Sequence, residues 1–170
     1  MRSPVTVRSA VGRILILLAV TWMATWVTPA AAAMVQVPLE RSIQSSDLVV
    51  RGRTLDQHCE WTADGRWIVT LVRIQVLETL GGSAPGDELV VRVLGGVLDG
   101  IGLSVSDMPV FQSDEESVLF LKRSIDGQTF LVTDNFQGKN TLLDGRVVER
   151  DVPRIDFLTQ VRAIARDLHR

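Results

Sequence analysis

The sequence is poor in the residues that build many catalytic and metal centres. It holds one cysteine, Cys59, and two histidines, His58 and His169. A lone cysteine cannot close an internal disulfide, so packing has to hold the fold. Cys59 reads first as a buried, inert side chain and second as a thiol that could pair with another chain. His58 is its neighbour, but adjacent side chains on a strand point to opposite faces, which separates the two as ligands or as a thiol–imidazole pair. His169 stands one residue from the C-terminus, where chain ends fray. No metal site assembles from this inventory.

Nucleotide loops are missing as well. Residues 94–111 read LGGVLDGIGLSVSDMPVF, with glycines at 95, 96, 100 and 102. A triphosphate loop needs Lys and then Ser or Thr after its last glycine, whereas Ile101 follows Gly100 and Leu103 follows Gly102. A dinucleotide loop needs a third glycine where Val105 stands, opening a helix. The extended pattern of Leu103, Val105 and Pro109 offers no helix N-terminus for a phosphate. The glycines are expected to bend a sheet instead. Gly95 and Gly96 turn one strand, Gly100 and Gly102 relieve crowding in the next, and Met108, Val110 and Phe111 cover a barrel end.

The carboxylates form no recognised device. The D-x-[DN]-x-[DN]-G calcium pattern and the G-x-S-x-G elbow are both absent. Asp114, Glu115 and Glu116 read as a solvated turn ahead of a strand. Asp99, Asp107 and Glu115 would act as acid, base or metal ligands only if the fold gathered them into one pocket. No catalytic, cofactor-binding or metal-binding residue is therefore assigned.

Long apolar runs are confined to the front of the chain. Arg2, Arg8 and Arg13 precede ILILLAVTWMATWV, and Pro29 and a run of alanines follow. That order is a secretory signal of residues 1–33 with cleavage expected after Ala33. The run is short for a membrane crossing of about 20 residues, so no stable membrane insertion is expected after cleavage, and the protein is placed in the periplasm or outside the cell. The leader carries three basic and no acidic residues, so its removal takes the formal charge from −2 to −5. An acidic surface repels nucleic acid and anionic lipid.

Residues 34–170 suit one domain. Pro38 with Leu39 and Ile43 predicts one or two helical turns within residues 37–47. Residues 47–55 alternate as a strand, with Leu48 and Val50 on one face and Arg51 and Arg53 on the other. Gly52 on the inward face marks a bend or a close approach. Asp64-Gly65 then signals a hairpin. In residues 66–80, Ile68, Thr70, Val72, Ile74 and Val76 line one face, while Trp67, Val69 and Leu71 make the other apolar at its start. Leu89, Val91 and Val93 point inward from the next strand. Residues 116–123 and 128–136 are two more strands joined at Asp126-Gly127, and residues around Asp144-Gly145 read as a small outlying hairpin. Ile155, Leu158, Val161, Ala165 and Leu168 mark an amphipathic closing helix at about residues 153–168. The fold is mainly β: a small OB-like Greek-key barrel with a short N-terminal helix and a C-terminal amphipathic helix, a β-sandwich being the rival.

The phrases SDLVVRGR, GRWIVTLVRIQVLETLGG, LGGVLDG, MPVF and ESVLFL resemble a family of exported bacterial proteins of unestablished function. The resemblance runs from about Val37 to Arg146. Ser46 to Gly52, Ile68 to Thr70, Gly95-Gly96, Pro109-Val110-Phe111 and Val118 to Leu121 occupy the family's landmarks, while Leu80 replaces a usual lysine and Asp114 a usual glycine. The first strand is also similar to that of netrin-like domains, the OB-type barrels of metalloproteinase inhibitors. That similarity implies a barrel. The inhibitors' N-terminal cysteine and disulfides have no counterpart here.

The functional expectation is a non-enzymatic exported domain that contacts a protein or envelope partner without a cofactor. A netrin-type protease inhibitor and a hydrolase or metal enzyme using the acidic loop are the alternatives. A docking surface at Trp67, Val69 and Leu71 is expected if those residues form one exposed patch.

Overall fold

The computed structural model describes residues 36–168. The expected leader of residues 1–33, its expected cleavage junction and His169 lie outside the described residues. A short helix α1 (Leu39–Gln44) opens the domain and buries Leu39 and Ile43, as their spacing predicts. Strands β1 (Leu48–Trp61) and β2 (Ile68–Gly82) form a long hairpin that turns at Asp64-Gly65. β1 runs six residues beyond the expected end at Leu55, because polar residues from Asp56 to Glu60 stay paired with β2, and Asp56 makes an ion pair with Arg73.

β3 (Glu88–Leu94) continues the sheet antiparallel to β2. β4 (Gly96–Leu98) and β5 (Ile101–Leu103) make a separate two-stranded hairpin. Its turn, Asp99-Gly100, has φ of 52° and 79°, the two left-handed residues of a turn whose twist matches that of the flanking strands. This hairpin corrects the reading of Gly100 and Gly102 as mere relief of crowding. β6 (Glu116–Arg123) is followed by β7 (Phe130–Val132) and a 3-10 turn (Asn135–Gly138). β7 is shorter than residues 128–136 because Asp134 and Asn135 both take positive φ and break the extended run. The chain then forms β8 (Lys139–Leu143), β9 (Arg146–Val147), β10 (Val152–Pro153) and the closing helix α2 (Arg154–Leu168).

Five strands close into a barrel in the order β1-β2-β3-β7-β6-β1. β1 makes the closure. It pairs with β2 along its length and, from Leu48 to Arg53, with Leu121 to Glu116 of β6. The pairing is mixed, since β3 meets β7 in parallel at Val91 and Phe130. Register shifts after Val49, Arg51 and Thr54 bend β1 where it serves two neighbours, as bulges do at barrel corners. Gly52 sits there by necessity: a Cβ would lie 2.5 Å from Ile74 Cγ2.

Two cores follow. Inside the barrel, Leu48, Val50, Val72, Ile74, Leu89, Val91, Leu119, Leu121 and Phe130 pack together under Phe111. Outside it, Val49, Val118 and Phe120 are covered by Leu39 and Ile43 of α1 and by Phe157, Leu158 and Val161 of α2. The apolar run VLFL of β6 is thus buried on both faces. On the outer face of β1, Val49 is covered in the same way, while Arg53 stays exposed.

Leu142 and Val147 belong to the outer core, and β8 pairs with β6. The Asp144-Gly145 hairpin is therefore an integral extension of the sheet and not an outlying one. On α2 the buried stripe is Phe157, Leu158, Val161 and Ala165. Ile155 lies off its edge and Leu168 on the last turn, and both are exposed. No helix among the described residues is long and apolar enough to cross a membrane.

Candidate functional site

The acidic run before β6 splits by the strand's period of two. Glu116 turns to the helix side, where its carboxylate receives Arg51 at 2.7 Å and Arg154 at 2.5 Å. Arg51 also reaches Glu78, which in turn receives Arg162 of α2. Three arginines and two glutamates thus fasten the closing helix to the barrel. The hydrogen bond from Arg162, with support from Arg51, holds the Glu78 carboxyl below its ordinary value.

Glu115 turns the other way. One carboxylate oxygen receives the ammonium of Lys139 and the hydroxyl of Thr141, the latter at 2.6 Å, while the backbone N–H of Gln112 donates to the other at 2.9 Å. Lys139 Nζ also donates to Thr141 Oγ1 at 2.9 Å and stands 5.4 Å from the ring centroid of Phe111. The side chains of Lys139 and Glu115 are 7% and 12% exposed. Burial pushes the Glu115 carboxyl up, but Lys139, Thr141 and the Gln112 amide outweigh it and hold the group below its usual range. The solvated-turn reading of residues 114–116 is corrected: only Asp114 is exposed.

This cluster is the floor of a groove of about 720 Å³ at one end of the barrel. Backbone bonds from Asp114 N–H to the Thr54 carbonyl and from Thr54 N–H to the Glu115 carbonyl, each 2.9 Å, fix the strap that carries Glu115. Upstream in that strap, Phe111 enters the barrel core and Met108 packs against it. Val110, expected to cover the barrel end, faces out at 75% exposure. With Leu143 at 59% and Val148 at 54%, it gives the groove an aliphatic rim. The β8–β9 turn, Asp144-Gly145 with both φ positive, projects Leu143 and Val148 from its two sides. Arg53 lines the groove from β1. Concave sites with apolar walls and a few fixed polar groups are the common form of binding sites.

The remaining candidates stay apart. Asp99 lies in the β4–β5 turn and Asp107 in the strap, and neither lines the groove that holds Glu115. His58 is exposed beside a half-buried Cys59, whose sulfur is 3.4 Å from Thr70 Oγ1. Among the described residues no three His, Cys, Asp or Glu side chains are gathered as a metal would require. Trp67, Val69 and Leu71 do not form one exposed patch, since Val69 is only 3% exposed while Trp67 is 51% exposed. A smaller apolar cleft of about 210 Å³ lies between β3 and β7, lined by Leu94, Met108 and Leu131.

Lys139 and Thr141 are groove residues that the sequence alone does not single out. Their signal is the alternation KNTLL, which puts Lys139 and Thr141 on one face of β8. Their partner Glu115 is unreadable without the β6–β8 pairing. The geometry defines a mixed, closed five-stranded barrel with a polar-floored groove at its mouth. No protein-family model matches the chain, and no curated protein matches it in sequence.

Proposed function

We propose that the domain is a non-enzymatic binding module that takes an extended segment of a protein partner into the groove above Lys139 and Glu115. One observation carries this reading: three exposed aliphatic side chains, Val110, Leu143 and Val148, surround a floor whose polar groups already satisfy one another. Because its polar groups are already paired, the floor can be covered without stranding a buried charge, and the rim offers apolar area that a partner can cover. Arg53 supplies a cation at the groove wall for an acidic group on the segment.

The barrel order β1-β2-β3-β7-β6-β1, with its parallel β3–β7 contact, supports an OB-type Greek-key assignment. That assignment agrees with the resemblance to netrin-like domains and to the family of exported bacterial proteins. The basic and apolar leader supports export to the periplasm or beyond, with the leader removed. N-terminal sequencing of the protein recovered from that compartment then begins at Met34; a retained leader would contradict export with cleavage.

The binding reading is tested by placing a photo-crosslinking residue at position 143 or 148, with position 155 on the exposed side of α2 as control. A discrete adduct from both rim positions and none from position 155 is the expected result. Equal labelling from all three positions would contradict it.

A further inference from the structure

Thr54 and Ser117 are 0% and 1% exposed, and neither hydroxyl has a hydrogen-bond partner among the described residues. Buried hydroxyls of this kind are rare, and an internal water is the usual partner for them. Their placement is specific. Ser117 on β6 stands directly opposite Gly52 of β1, and Thr54 lies two residues further along β1, so the two side chains are diagonal neighbours on the inward face. Ser117 also stands opposite Thr141 of β8, and side chains of directly paired residues share a face. Thr141 is the residue that bonds both Glu115 and Lys139. Thr54 is tied through its backbone to Asp114 and Glu115. Both hydroxyls therefore belong to one polar layer under the groove floor, spread over β1, β6 and β8.

We propose that one ordered water bridges Thr54 Oγ1 and Ser117 Oγ inside the end of the barrel. Two hydroxyls, each able to donate and accept, give a water two of the two to four partners that a buried water needs. The ammonium of Lys139, which donates to Glu115 and Thr141, lies on the adjoining strand of the same layer. The water ties β1 to β6 through their inward side chains. It does not depend on what the groove binds.

A crystal structure of the purified protein at a resolution that shows ordered solvent tests this directly. The expected result is a solvent peak within 3.2 Å of both hydroxyl oxygens, retained at low mobility. The same structure of Ser117→Ala, and separately of Thr54→Val, should lose the peak. In solution, a water-to-amide Overhauser cross-peak at Ser117 in the wild type should vanish in either variant. A wild-type structure without the peak, with a peak bonded to only one hydroxyl, or with the hydroxyls bonded to protein carbonyls, would overturn the proposal.

Discussion

Lys139 and Glu115, 24 residues apart in the chain, form an ion pair that is almost closed to solvent and shares Thr141 between its two members. Breaking such a pair from one side leaves an uncompensated buried charge, which costs about 3–5 kcal/mol. Lys139→Met is expected to lower stability by that order in urea denaturation. Replacing both partners, Lys139→Met with Glu115→Leu, should recover much of the loss. A double variant no more stable than the single one would mean that the pair is not the source.

The same pair sets a pH dependence. Glu115 has its carboxyl lowered from an ordinary value of 4.5 in the folded protein, and Glu78 shares the direction. A lowered folded value contributes stability that is full above the unfolded value and is lost as pH falls through the folded one. Wild-type stability should therefore fall as the pH drops below about 4.5, and Glu115→Gln should flatten part of that slope. Parallel slopes in the two proteins, measured by urea midpoints across the acid range, would contradict the assignment.

Gly96 is fixed by space as well as by conformation. Its φ is 139°, and a Cβ would lie 2.6 Å from Cys59 Sγ and 2.7 Å from Thr70 Oγ1. Gly96→Ala should cost about 3 kcal/mol from strain and overlap together. Gly100, with φ of 79° and nothing within 4 Å of its Cβ position, should lose only about 1–2 kcal/mol on the same change. Thermal melts of the two variants give the comparison, and equal losses would contradict it.

The closing helix makes a further comparison. Phe157 is 2% exposed in the core between helices and barrel, whereas Ile155 is 77% exposed. Phe157→Ala should cost about 3–5 kcal/mol and Ile155→Ala no more than about 0.5 kcal/mol. The reverse order would put the helix in a different rotation on the barrel.

These contrasts show what could be read from the sequence. The strands were legible where apolar residues alternate, as in β2 and β3, and where a compact apolar run is bounded by charge, as in β6. Turn residues fixed both β1–β2 and β8–β9. Residues 56–61 were harder, because a polar hairpin arm owes its pairing to its partner strand and not to its own pattern. Ile155 fits the spacing of the stripe, yet Phe157 takes the buried place and leaves Ile155 in solvent. The candidate site was the least legible part. Glu115 and Glu116 look alike in sequence and diverge only because adjacent strand residues face opposite ways. The partners of Glu115, Lys139 and Thr141, arrive through the β6–β8 pairing, which no local pattern announces.

The groove is tested most directly by selecting peptides on the purified protein and mapping their binding through backbone amide shifts. Peptides that combine an aliphatic residue with a carboxylate should shift the amides of Val110, Glu115, Thr141 and Val148 saturably, and Val148→Asp should weaken them at least about tenfold, the effect of roughly 1.4 kcal/mol. Selected peptides that leave those amides unmoved, or bind Val148→Asp as well as the wild type, would contradict the account.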